Sequence, residues 1–276
     1  MKIATRPPTD QQIRDYDTFA ERVRSLRARG WDVREQGEIC GLPLFAAEWP
    51  SSDNASIPQV LVVGGIHGNE PAGVEAAVSW MESGRAERWP VHWLVLPCAN
   101  PCGWLHDRRI ASSKRDLNRS FHLAECCAET QFIHHALAGR RFVFAMDYHE
   151  DSDAPGYYIC EIKTRAPFAG EKVIAAVESV LPIWDAPKLD GRKSAARGCV
   201  RRSPATRAVL ARRRLWPLEF HLIRHHTAHT YCSETPLAFP MAQRVRAHHI
   251  ALETALAHAL PDSVQPRVSR HRRQRA

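Results

Sequence analysis

Long apolar runs are missing from this chain. No stretch of its 276 residues approaches the roughly 18 consecutive apolar residues of a membrane span. Met1–Asp10 has neither the apolar core nor the small-residue cleavage site of a secretory leader. The expectation is a cytoplasmic protein with no membrane partner. A disulfide framework is missing too. Eight cysteines are too few for a scaffold in a chain of this length. Cys98 with Cys102, and the adjacent Cys126 and Cys127, do not fit a CxxC metal ribbon, so reduced, mostly buried thiols are expected. There are no internal repeats. Aromatic residues are absent from the two basic segments that carry the charge. The formal net charge is +8, but Lys188–Arg214 holds +9 and Pro261–Ala276 holds +4, which leaves −5 for the rest. Without aromatics to stack bases, these segments argue against nucleic acid as a partner. The last sixteen residues read as a disordered, solvated tail.

What is present has the composition of a soluble globular protein, 44% hydrophobic and 25% charged. Ile13, Tyr16, Phe19, Val23 and Leu26 recur at helical steps and predict a helix over 10–30. Short strands are expected at 31–36 and 42–47, with a polar loop at 50–58. Gln59–Gly64 is a continuous apolar strand of the kind buried on both faces. A helix over 71–83, a strand over 92–97, a helix over 125–138 and a core strand over 141–148 follow. Residues 156–162 are expected to pair beside that strand, and 168–181 to form a helix. The basic segment 188–214 reads as a loop insertion or small cap. Late strands are expected at 215–223 and 229–233, then a final helix at 242–260. This alternation predicts a mixed, twisted α/β sheet with helices on both faces. Residues 1–260 would form one catalytic domain and 261–276 the tail.

The strand at 59–64 ends at two glycines and delivers His67 and Glu70 onto the turn beyond. An imidazole and a carboxylate three residues apart can meet on one side of a helical turn, and the pair suits zinc. His149, expected just past its strand end, is the candidate third ligand. In open α/β sheets ligands gather where strands end. Asp147, two residues away, points to the same face and is either a partner of His149 or a buried, satisfied carboxylate. Glu150 points the other way and is not a ligand candidate.

The order His67-x-x-Glu70, Asn100-Pro101, Asp116-Leu117-Asn118-Arg119, then His149 resembles the zinc carboxypeptidase family. The nearest branch is that of small bacterial carboxypeptidases with succinylglutamate desuccinylase and aspartoacylase. The resemblance spans roughly residues 57 to 260, except 188–214. It implies that His67, Glu70 and His149 bind one catalytic zinc, and that Asp116 orients a ligand histidine. It also implies that Asn118 and Arg119 hold a substrate carboxylate through planar donors. Arg109, or its neighbour Arg108, would polarise the scissile carbonyl. Glu234 would be the general base, with Glu219 its rival; a plain alternative for Glu219 is an edge-strand salt bridge. His221, His225, His226 and His229 form a second histidine-rich run, read as pocket lining or adventitious metal binding. The implied function is hydrolysis of an amide beside a free carboxylate, on a peptide or an N-acyl amino acid. A different class, a basic binding protein on a degenerate enzyme fold, would lack turnover.

Overall fold

A strand covered on both faces needs apolar side chains in both directions. The central strands here supply them. The computed structural model describes residues 14–50, 57–122, 127–163, 165–202, 212 and 215–261. Its strands are β1 (Asp32–Ile39), β2 (Leu42–Trp49), β3 (Gln59–Val63), β4 (His92–Leu96), β5 (Phe144–Asp151), β6 (Tyr158–Lys163), β7 (Lys188–Leu189), β8 (Arg192–Lys193), β9 (Cys199–Arg202) and β10 (His229–Pro236). Along β3, Val60 and Val62 enter one core while Leu61 and Val63 enter the other; Trp93 and Val95 divide from Leu94 and Leu96 in the same way along β4.

Eight strands form one mixed sheet in the order β1-β2-β4-β3-β5-β10-β6-β9, and β7 pairs with β8 in a separate hairpin. β4, β3, β5 and β10 run parallel at the centre, and β1, β2 and β6 pair antiparallel toward the edges. Helices α1 (Tyr16–Ser25), α2 (Pro71–Glu82), α5 (Gly170–Val177) and α7 (Met241–Ala259) cover one face. Helices α4 (Ala128–Leu137) and α6 (Leu218–His225) cover the other, and α3 (Pro101–Leu105) lies beside the β3–α2 turn. The mixed sheet with helices on both faces is the expected architecture.

α1 begins where the Asp15 carboxylate accepts from the Asp17 and Thr18 amides, which satisfies two of the free N–H groups of a helix start. The chain then tightens and closes at Gly30, at φ +88°. Residues 10–13 of the expected first helix, 51–56 of the expected loop, 125–126 of the helix expected over 125–138, 203–211 and 213–214 of the basic segment and 262–276 of the tail lie outside the described residues.

Four expectations are corrected. Leu215–Ile223 is not a strand: Trp216 makes a single bridge to Ser120, and α6 starts at Leu218. Leu218-Glu219-Phe220-His221-Leu222 alternates apolar with polar as a strand would, and residues 218–223 are all buried, so neither the alternation nor a solvent face reveals the helical period. β6 pairs with β10, not β5, because β10 inserts between them. His149 lies inside β5, which continues to Asp151 because β10 extends beside it to Pro236. The segment from 188 is not a plain loop, since it forms the hairpin and then β9 at the sheet edge.

Candidate metal centre and active site

The first pair of site residues is set by a tight turn. β3 ends at Val63, and Gly65 adopts φ +68°, a conformation that costs a residue with a Cβ. Gly68 packs flat against α3, where a Cβ would lie 2.0 Å from the Gly103 carbonyl carbon. The turn is held so that the Glu70 amide donates to the His67 carbonyl at 3.2 Å, and Pro71 opens α2. His149 enters from β5, two positions before its end at Asp151.

Three side chains converge. His67 Nδ1 lies 2.7 Å from Glu70 Oε1, His149 Nδ1 lies 2.8 Å from Glu70 Oε2, and the two Nδ1 atoms are 3.2 Å apart. All three residues are buried. Among the described residues this is the one group of three or more His, Cys, Asp or Glu whose ligand atoms meet at a point. The Nδ1 separation is close to the edge of a tetrahedron with bonds of ~2.0 Å, ~3.3 Å, so the donor set fits zinc. The far nitrogens support the same fit. His67 Nε2 lies 3.2 Å from Asp116 Oδ1, and His149 Nε2 lies 2.9 Å from Asp147 Oδ2. Each imidazole thus has its own carboxylate behind it, the arrangement that fixes the orientation of ligand histidines. Asp147 stands behind His149 as Asp116 stands behind His67.

The electrostatics follow. Burial works against a charged His149, but Asp147 and Glu70 outweigh it and hold its pKa well above the usual value. Burial would raise the Glu70 carboxyl, yet the two imidazoles pull it far below the carboxylate range. Glu234 stands opposite His149 in the parallel β5–β10 register. Burial pushes its carboxyl up to about 7, with His149 opposing and Glu70 adding to the rise. The Cys232 thiol donates to Glu234 Oε1 at 3.2 Å.

A cavity of about 330 Å³ opens over these groups. Arg109, Asn118, Arg119, Glu219 and Glu234 join the three convergent residues in its wall. Arg109 reaches Asp116 Oδ2 through Nε at 3.3 Å and Nη2 at 3.2 Å, and Glu70 Oε1 through Nη1 at 3.4 Å. Arg108 does not line the cavity. Asn118 accepts from the Leu218 amide at 2.8 Å, and its Nδ2 lies 3.4 Å from His149 Nε2. Arg119 donates to the Asn118 carbonyl at 2.7 Å. Glu219 sits in the first turn of α6 and makes no ion pair among the described residues, so it is not an edge-strand salt bridge.

Glu150 turns away from the metal group, as its strand position requires. It accepts from the Ala72 amide at 2.6 Å and pairs with the fully buried Arg244. In the second histidine run His221, His225 and His226 cluster, with ring centroids 5.0, 5.1 and 6.2 Å apart, but none of the four residues lines the cavity. His229 pairs with Glu161 at 2.8 Å, while His221 and His226 approach each other at 3.2 Å. Arg14 was missed in the sequence. It donates to the Gly68 carbonyl at 2.8 Å, to the Trp104 carbonyl, and to Asp107 at 2.9 Å, and so clamps the ligand turn to the segment that leads to Arg109. Nothing in its local sequence signals this.

Comparison with known proteins agrees with this geometry. The sheet and its flanking helices define the zinc-carboxypeptidase fold. A candidate metallopeptidase from Shewanella amazonensis SB2B superposes with a TM-score of 0.76 at 22% identity, covering 95% of this chain and 100% of that one. A metallo-carboxypeptidase from Burkholderia cenocepacia gives 0.63 at 17% identity, covering 88% and 68%. Carboxypeptidase A from Helicoverpa armigera gives 0.63 at 15%, covering 91% and 74%. Residues 56–178 match the succinylglutamate desuccinylase/aspartoacylase catalytic domain, so the resemblance read from the motifs is borne out. A sequence comparison with curated proteins gave no match.

Proposed function

We propose that this protein is a zinc-dependent hydrolase that cleaves an amide beside a free carboxylate, and that it acts as a metallocarboxypeptidase on peptides or peptide-like substrates. The observation that carries the reading is the convergence of His67, Glu70 and His149 at the floor of a cavity walled by Arg109, Asn118, Arg119 and Glu234. Zinc held by the three ligands would supply a Lewis acid that lowers the pKa of water toward ~7.

The chain's own groups supply the rest. Arg119, with Asn118, receives the substrate carboxylate and sets the scissile amide above the ligands. Glu234 takes a proton from the attacking water and returns it to the leaving nitrogen, a role suited to a carboxyl whose pKa is near 7. Arg109 offers its guanidinium to the oxygen that becomes negative at the tetrahedral stage. Asp116 and Asp147 keep both imidazoles turned inward.

The test is hydrolysis by a Glu234→Gln protein. It should retain zinc and lose activity by about 10²–10⁴-fold. Turnover as fast as wild type would show that another group is the base. A second reading, removal of an acyl group from an N-acyl amino acid, is favoured by the family match over 56–178. Parallel assays on acylated dipeptides and N-acyl amino acids separate the two. The third reading, a non-catalytic binding protein, predicts stoichiometric zinc with no hydrolysis of either panel and salt-sensitive nucleic-acid binding. No helix among the described residues is long and apolar enough to cross a membrane.

A further inference from the structure

We propose that Glu219 and Arg192 form a two-handed subsite for the side chain of the released residue, and that this side chain presents a donor and an acceptor side by side without net charge, as a carboxamide does. The inference rests on the amide-hydrolase reading and names the substrate class within it. Glu219 and Arg192 line the same cavity as the metal group. Glu219 is 8% exposed, and its Oε2 is buried with no hydrogen-bond partner among the described residues. A buried carboxylate oxygen left without a donor costs about 1–3 kcal/mol, so this one is held for a group that the ligand brings.

Arg192 comes from the β7–β8 hairpin, in the segment that the family resemblance does not cover. Its Nη1 is engaged, 2.6 Å from Asp190 Oδ2 and 3.8 Å from Cys160 Sγ. Nε and Nη2 make no bond among the described residues, which leaves two donors for a ligand. Arg202, the other arginine on this side, lies 5.2 Å over the Phe220 ring. Cys160 and Cys232, paired across β6 and β10, line the same cavity, as does Asp190. A cationic side chain here would satisfy Glu219 and oppose Arg192. An anionic one would do the reverse, and an apolar one would leave both unmet. A carboxamide gives its N–H to Glu219 and its oxygen to Arg192.

The test uses the zinc-loaded full chain and acylated dipeptides ending in Gln, Lys, Glu or Leu. Wild type should favour Gln over each of the others by about tenfold or more in kcat/KM. Glu219→Leu should move the Lys/Glu preference toward Glu, and Arg192→Leu should move it toward Lys. Opposite shifts are not produced by general damage to the fold. Calorimetry with free L-glutamine, L-lysine, L-glutamate and L-leucine reads the same subsite without turnover. Glutamine binding first while no amide is cleaved supports the subsite and defeats the hydrolase reading. A wild-type preference for Lys, Glu or Leu over Gln, or a shift in the same direction by both variants, overturns the proposal.

Discussion

His221 should make the protein acid-labile by a calculable amount. It is 4% exposed on α6, its ring centroid 4.3 Å from that of His134 and its Nε2 3.2 Å from that of His226. Burial, then the neighbouring His134, His226 and His225, pushes its pKa from 6.5 down to about 3. A depressed pKa in the folded state means that folding favours the neutral ring. The stability it permits is intact above pH 6.5 and is lost as pH falls from there toward 3, because the unfolded chain takes up a proton that the folded chain refuses. At pH 5 the unfolded ring is almost fully protonated and the folded ring almost neutral, so the loss relative to pH 7 is about 2 kcal/mol, rising to about 3 kcal/mol at pH 4. The pH 5 figure is nearly the same for any folded pKa at or below about 4, so it rests on burial more than on the depth of the shift. The assay is urea unfolding of wild type and a His221→Phe variant at pH 7 and pH 5. His248 and His249 are depressed by burial too, but they act in both proteins and cancel in the difference. The variant should lose about 2 kcal/mol less than wild type over that interval. Equal losses would refute the reasoning.

Two further outcomes follow from the site. Asp147→Asn removes the charge behind His149 and should weaken zinc binding by about 10–100-fold, read by competition with a chelator, with little change in secondary structure. Arg14→Met unties the Gly68 carbonyl from α3 and leaves buried acceptors unmet. It should cost about 1–3 kcal/mol in urea unfolding, and unchanged stability would deny the clamp.

The sequence was legible where the physics is local. β3 and β4 could be read because both faces are covered, which makes the runs continuous and short. The turn carrying His67 and Glu70 could be read because two glycines and Pro71 punctuate it, and Asp147 could be placed beside His149 by strand alternation alone. The order of strands could not, since nothing local tells β10 to enter between β5 and β6. α6 was misread because Leu218, Glu219, Phe220, His221 and Leu222 alternate apolar with polar at the period of a strand. Arg14 reaches Gly68, Trp104 and Asp107, 54 to 93 residues away, and Arg192 reaches Cys160, 32 residues away, contacts that appear only when the chain is folded.

The central claim is that His67, Glu70 and His149 hold a zinc ion on which amide hydrolysis depends. The direct measurement is metal content of gently purified protein, paired with hydrolysis of acylated dipeptides before and after chelation and zinc return. The account predicts about one zinc per chain, loss of hydrolysis with the metal and recovery on its return. Less than about 0.3 zinc per chain, or hydrolysis that survives complete removal, would contradict it.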